Sequence, residues 1–315
     1  MNNVNKYIMA ALICASLFFI PVTMAGKKVD ETIKSEGVNT VTIENLSGKV
    51  IIVGWEKEWV TVKGELDDKA KQLVFEQVGH SINIKVDIPK NDRRRTKGSI
   101  LTIHMPADLR MNFESISSDV ELENLTNNVS VKTISGDINA KNLAEHIELS
   151  SVSGSIKAKS LQGKINLSTV SGDIKDENSL GRLQLKVVSG DITSKSDASE
   201  VFVNNVSGNI KLQLTKVDEL NISEVSGDAK VSLFLQRNGI VKASSVSGAV
   251  TLDFQDDVAA DFRLKANAGG DLTNRLTTQE AEKAKYGPSE KLYFQTGNAN
   301  SSVSVNTVSG DITVK

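Results

Sequence analysis

An all-β chain wound as a single β-solenoid of about 18-residue coils is the fold class this sequence predicts. It follows from a repeated pentapeptide, its fixed interval, and the step of the aliphatic residues between copies. The pentapeptide reads Ile134-Ser135-Gly136-Asp137-Ile138, Val152-Ser153-Gly154-Ser155-Ile156, Val170-Ser171-Gly172-Asp173-Ile174, Val188-Ser189-Gly190-Asp191-Ile192 and Val206-Ser207-Gly208-Asn209-Ile210, with successive glycines 18 residues apart. A degenerate copy at Ile116 to Val120 extends the register upstream, and looser copies follow at Gly227, Gly248, Gly270 and Gly310. Within a period the aliphatic residues Ile134, Ile138, Ala140, Leu143, Ile147, Leu149 and Val152 advance in steps of 4, 2, 3, 4, 2, 3. A recurring step of two places neighbours on one face of a strand, which helical spacing does not. The hexapeptide pattern of left-handed β-helices fails at Lys164, six residues after Ala158, where an inward residue would be required. Right-handed winding is the expected hand.

The elements follow in order. Lys6, an apolar run from Tyr7 to Met24 and the small residues of Thr23-Met24-Ala25 predict a signal peptide over 1–25, cleaved near Ala25. Cys14, the chain's one cysteine, lies inside this run, so the mature chain has neither a disulfide framework nor a thiol nucleophile. Residues 26–115 lack the period but keep strand patterns, as in Thr40 to Glu44, Lys49 to Val53, Ser81 to Val86 and Ser99 to Met105. They predict irregular N-terminal coils that cap the stack, with Trp55 and Trp59 packed over its end. Lys69 to Gln77 fits a short helix or another strand, and Arg93-Arg94-Arg95 reads as a solvated loop. Residues 116–315 predict the regular solenoid, interrupted near 273–297 by an excursion in which Gln279 to Lys285 has a helical pattern ended by Gly287-Pro288. The chain then resumes the repeat and stops at Lys315. That predicts an uncovered last coil, which either the excursion folds over or a second molecule meets end to end.

Each period divides into two nine-residue halves, a short strand and a corner apiece. At one corner Ser-Gly-Asp separates two aliphatics expected to point inward. The glycines Gly136, Gly154, Gly172, Gly190, Gly208, Gly227, Gly248 and Gly310 are then structural turn residues at a backbone conformation that a Cβ disfavours. The opposite corner, as in Leu125-Thr126-Asn127-Asn128, reads as polar and variable. One coil buries too little to offset the ordering of its own backbone, so coils must stack and share a core.

Composition and motifs narrow the chemistry. Formal charge is −2 with acids and bases mixed along the chain, which marks no nucleic-acid partner, and aromatics are scarce at 4%. Stacked corners would align Asp137, Ser155, Asp173, Asp191, Asn209, Asp228, Ala249 and Asp271. Neutral residues break that column, so its aspartates read as turn residues bonding their own backbone rather than as a metal column. The serines from Ser135 to Ser207 have no histidine at a repeat-related position, and His80, His104 and His146 are scattered. No phosphate loop, dinucleotide fingerprint or zinc spacing is present. No catalytic residue, cofactor or metal site is expected.

Leu46-Ser47-Gly48-Lys49-Val50, Gly54-Trp55-Glu56, Leu101-Thr102-Ile103-His104-Met105-Pro106, the serial Val-Ser-Gly-Asp-Ile and the closing Asn306-Thr307-Val308-Ser309-Gly310-Asp311-Ile312 resemble the bacterial "putative adhesin" β-solenoid family, an exported domain of unknown function. The resemblance covers most of the mature chain and implies architecture rather than activity. The expected function is a non-catalytic scaffold in the periplasm or at the cell surface, binding an envelope polysaccharide or an envelope protein. The alternatives are a polysaccharide-active β-helix enzyme, which would need longer coils, protruding loops and clustered acidic and basic residues over one sheet, and an envelope subunit that self-assembles through its ends.

Overall fold

The computed structural model describes residues 27–89 and 97–315. The leader with Cys14 and Ala25, and the Arg93 to Arg95 loop, lie outside the described residues. Every regular element among the described residues is a strand, and the strands link into one hydrogen-bonded sheet of 24 members in a β-solenoid-like, all-β fold.

The middle of the chain stacks in parallel at the interval of the repeat. Ile156 pairs with Ile138 on one side and Ile174 on the other, and Ile165 pairs with Ile147 and Leu183. Parallel in-register pairing turns each sequence position into a column. Ile138, Ile156, Ile174, Ile192 and Ile210 form one buried column, and Leu149, Leu167, Leu185, Val203 and Ile222 another. Each such side chain is covered above and below by its own counterparts, which supplies the apolar burial that one coil lacks.

The residue before Ser-Gly points outward, contrary to the inward direction expected of it. Ile134 is 54% exposed and Val170 44%, and Ile116, Val152, Val188, Val206, Val225, Val246 and Val308 are also exposed. Strand alternation runs unbroken through Ile147, Leu149 and Ser151, so Ser151 takes the inward place and Val152 the outer face. The inward place is held elsewhere by Thr133, Thr169, Asn205, Glu224, Ser245 and Thr307. Being mostly polar, that column is invisible to a search for aliphatic periodicity.

The Ser-Gly-Asp corner demands glycine chiefly because stacked backbones nearly touch there. A Cβ on any of Gly136, Gly154, Gly172, Gly190, Gly208, Gly227, Gly248 or Gly310 would overlap a backbone carbonyl oxygen of the adjacent corner. Gly172 also has φ +153°, but Gly154 has no such left-handed value, so close approach is the requirement common to the column. The opposite corner is more standardised than expected. Asn124, Asn142, Ser160 and Asn178, spaced at the repeat interval, all take φ between +53° and +60°, a conformation asparagine tolerates well, and Asn142 Nδ2 donates to Asn124 Oδ1 at 3.0 Å.

Both ends are closed by antiparallel strands and by a change in chain order. At the N-terminal end Thr40–Trp55 lies between Arg110–Leu125 and the pair Ser81–Asp87 and Ser99–Pro106, all parallel to it. Gln72–Val78 then adds antiparallel to Ser81–Asp87, which settles the Lys69 to Gln77 segment as mainly strand. Trp59–Glu65 adds antiparallel to Ser99–Pro106, and Lys28–Lys34 to Trp59–Glu65. At the other end the last segment, Ser301–Ser309 and Ile312–Val314, is inserted between Ala229–Ser247 with Val250–Asp253 on one side and Ala260–Ala266 with Leu272–Asn274 on the other. The chain's final coil is therefore covered, not exposed. The excursion near 273–297 contains no helix: Glu290–Gln295 pairs antiparallel with Ala260–Ala266, and Glu282–Lys283 pairs back onto Glu290 and Lys291. Sheet pairing and the burial of Leu292 and Phe294 override the local helical pattern, and Phe294 stacks on Phe262 with ring centroids 4.5 Å apart.

Candidate functional site

No single cleft gathers the chemistry-bearing residues. The repeat instead lays them out in columns, of which the corner aspartates are one. Asp119 Oδ1 accepts the backbone N–H of Asp137, Asp137 that of Ser155, Asp173 that of Asp191 and Asp191 that of Asn209, at 2.7 to 3.0 Å. Ser155 Oγ and Asn209 Oδ1 serve the same way for Asp173 and Asp228. Each side chain thus bonds the next corner's backbone rather than its own, and that is why serine and asparagine can stand in for aspartate. The top of the column also departs from expectation, because Asp271 meets Asp311 through its backbone N–H and not Ala249. An Asp191→Ala variant removes one acceptor from an exposed rung and is expected to cost about 1 kcal/mol in urea denaturation. A loss near zero would mean that water replaces the bond.

The serines of Ser-Gly are exposed and none aligns with a histidine. His80 Nδ1 lies 2.7 Å from the Gly37 carbonyl oxygen, His104 stacks on Trp55, and His146 pairs in register with Lys164. Among the described residues no three His, Cys, Asp or Glu side chains come together in a metal-binding group. Asp176 is one of four buried acids among the described residues, with Asp67, Glu224 and Glu290. It occupies the inward place that Ala140 and Ala158 hold in the coils before it, and it accepts hydrogen bonds from Ser179 Oγ and, at 2.8 Å, from Ser194 Oγ. Burial pushes its carboxyl up to about 6. It is sealed inside the stack, which gives it a place in stability and none in catalysis.

Three outer regions remain. The first is the face carrying Ser150, Ser168, Lys186, Asn204 and Ser223, edged by the exposed column from Ile116 to Val308 and dished into a groove of about 480 Å³. Beneath it the buried Glu224 carboxylate has no hydrogen-bond partner among the described residues, and burial followed by the nearby Asp228 pushes it up to about 7.

The second region is a groove of about 1200 Å³ at the N-terminal end. Trp55 and Trp59 meet there edge to face at 5.9 Å, Trp55 Nε1 donates to the Trp59 carbonyl oxygen at 3.0 Å, and the Lys57 ammonium sits 4.7 Å from the Trp55 ring centre. Trp59 is 38% exposed, so the tryptophans line a groove rather than plug a core. Their place in a turn, Trp55-Glu56-Lys57-Glu58-Trp59, with charges between them, is the sequence signal for this exposure.

The third region is the face outward of the Ile-x-Ala-x strands that follow Ser-Gly-Asp. Its side chains include Lys141, Lys157, Lys159, Lys175, Glu177 and Lys195. Reading charge along the chain concealed it, since lysines 16 to 18 residues apart in sequence become neighbours only when the coils stack.

A family model matches this whole architecture, over residues 23–202 and again over 179–315, under the description Toastrack DUF4097. The chain belongs to the Toastrack DUF4097 family. Among solved structures, a "putative cell adhesion protein" from Clostridium sporogenes ATCC 15579 is 12% identical, with 92% of this chain and 99% of that one covered at a TM-score of 0.20. A "putative adhesin" from Bacteroides fragilis NCTC 9343 is 13% identical over 92% and 97%, at a TM-score of 0.36. A "putative lipid binding protein" from Parabacteroides distasonis ATCC 8503 is 11% identical over 90% and 97%, at 0.33. At these scores and identities the likenesses carry nothing about activity. No curated protein matches this Toastrack chain.

Proposed function

We propose that this Toastrack protein is a non-catalytic exported scaffold, one β-solenoid of about 18-residue coils wound right-handed, that binds an envelope polysaccharide or envelope protein through its outer faces. Its place is the periplasm or the cell surface, as the apolar run from Tyr7 to Met24 supports. The observation that carries the reading is the exposed aliphatic column of Ile116, Ile134, Val152, Val170, Val188, Val206, Val225, Val246 and Val308. A contiguous apolar stripe in water is unfavourable on a free surface and marks a contact surface.

The test is the triple variant Val170→Thr, Val188→Thr and Val206→Thr, which keeps side-chain shape and β preference while wetting the stripe. In a screen of envelope polysaccharides and envelope proteins, the unaltered protein should bind at least one, and the triple variant should bind it at least tenfold more weakly. No binding above background, or the same binding by both proteins, removes the reading.

A further inference from the structure

The lysine-bearing face gathers one sign of charge over several consecutive coils. Across the six rungs from Ile138 to Ser232 its outward positions are Asn139, Lys141, Lys157, Lys159, Lys175, Glu177, Thr193, Lys195, Lys211, Gln213, Lys230 and Ser232. Seven of these twelve are lysine and one is acidic, on a chain whose formal charge is −2. Lys141 lies directly beside Lys159, Lys157 beside Lys175, and Lys211 beside Lys230 in the parallel register. Neighbouring parallel strands are roughly 4.8 Å apart, a separation at which stacked like charges repel.

The same stack solves this problem where it needs to. Lys141 pairs with Glu123 at 2.6 Å and Arg182 with Glu200 at 2.9 Å, each across one coil interval. On the lysine face only Lys141 and Lys175 have a carboxylate partner, while Lys157, Lys159, Lys195, Lys211 and Lys230 make no ion pair among the described residues. The single acid, Glu177, is held below its ordinary range first by its hydrogen bond from Lys175, with Lys159 and Lys195 contributing. Lys141, Lys157, Lys159 and Lys175 border a shallow groove of about 370 Å³ that Glu121, Glu123 and Glu177 also line, so the acid-free part of the face lies toward its Lys195 to Lys230 end.

We infer that this face binds a linear anionic polysaccharide laid along the stack, its carboxylate or phosphate groups neutralising Lys157, Lys159, Lys195, Lys211 and Lys230. This rests on the reading of the chain as a binding scaffold and gives it a ligand class. Six rungs span roughly 24 Å, so one polymer meets several lysines at once and binds by multivalency. Asn139, Thr193, Gln213 and Ser232 stand between the lysines as neutral hydrogen-bonding groups suited to sugar hydroxyls. None of the twelve side chains is aromatic, as stacking on nucleic-acid bases would require, and none is apolar, as insertion into a lipid surface would require.

The test uses the purified protein with polygalacturonate as the polyanion and dextran as the neutral polymer, by calorimetry at low and at physiological salt. Polygalacturonate should bind, dextran should not, and affinity should fall steeply with salt. Changing Lys157, Lys159, Lys195, Lys211 and Lys230 together to Gln should weaken binding at least tenfold with the melting temperature kept. Changing Lys132, Lys186 and Lys242 to Gln on the other face should change it less than twofold. Equal losses from both sets, no binding of polygalacturonate, or tighter lysine-dependent binding of single-stranded DNA or anionic vesicles would overturn the inference. An unaltered response of the Val170, Val188 and Val206 triple variant in this assay, beside its loss in the envelope screen, separates the two faces. Failure of the polymer arm alone leaves the scaffold reading standing.

Discussion

A Gly172→Val variant should lose about 4 kcal/mol of stability, far more than an ordinary surface change. Two effects combine at this site. The residue sits at φ +153°, and its Cβ would overlap the Gly154 carbonyl oxygen while also approaching the Ser155 backbone N. Backbone cannot step aside as a flexible side chain can, because each corner is hydrogen bonded to the next: Gly154 N–H donates to the Ser171 carbonyl oxygen at 3.1 Å, and Gly172 N–H to that of Ser189. Gly269→Ala separates the two effects. Gly269 has φ +112°, yet a Cβ there meets nothing within 4 Å, so only conformational strain is left. Its expected loss is about 1 kcal/mol. Urea denaturation of both variants measures the contrast, and equal losses would mean that stacked corners do not approach as closely as described.

The second large effect is a pH-dependent gain at Asp176. Its carboxyl is raised from 3.8 to about 6, chiefly by burial and against the two serine hydrogen bonds, so the folded chain holds this proton more tightly than the unfolded chain. The cost of ionising it inside the stack is absent below about pH 3.8, grows between 3.8 and 6, and is fully present above 6. At about 1.4 kcal/mol per pH unit that cost approaches 3 kcal/mol. Asp176→Asn never ionises but gives up one acceptor oxygen, so it should be more stable than the unaltered protein by about 2 kcal/mol at pH 8. The gap should close as pH falls to 4. Thermal melts of the two proteins across this range test it, and a gap that does not change with pH would refute the cause.

Ser179 and Ser194 show why such a residue is tolerated. Ser179 takes the place that Leu161 holds one repeat earlier, and Ser194 the place that Ala158 holds two repeats earlier, so the core carries a small polar cluster whose members satisfy each other. The consensus of the repeat foretold none of this, since Asp176 looks in sequence like one more surface charge beside Lys175 and Glu177.

Legibility of the sequence varied by position for physical reasons. Columns such as Ile138 to Ile210 are large and apolar, and their burial could be read from spacing alone. The column of Thr133, Ser151, Thr169 and Asn205 is just as buried, but it is polar because its side chains donate to corner carbonyls: Thr169 Oγ1 to the Gly154 carbonyl oxygen at 2.9 Å and Asn205 Nδ2 to that of Gly208 at 2.8 Å. The exposed valine or isoleucine next to each of these residues then mimicked a core position. At the end of the stack the local helical pattern of Gln279 to Lys285 yielded to pairing of Glu282–Lys283 with Glu290 and Lys291, in the strand that itself covers the edge of Ala260–Ala266.

The candidate faces were hidden by distance along the chain. Lys157, Lys175, Lys211 and Lys230 become part of one surface only through parallel pairing, and acids between them in sequence, such as Asp173 and Asp191, turn away into the corner ladder. By itself the amino-acid sequence determined that the chain is all-β, repeats every 18 residues and turns at Ser-Gly-Asp, because a local period and a glycine are local facts. Only the tertiary structure decided which aliphatics face water, how the last coil is covered and where charge gathers, because those depend on which coil lies beside which.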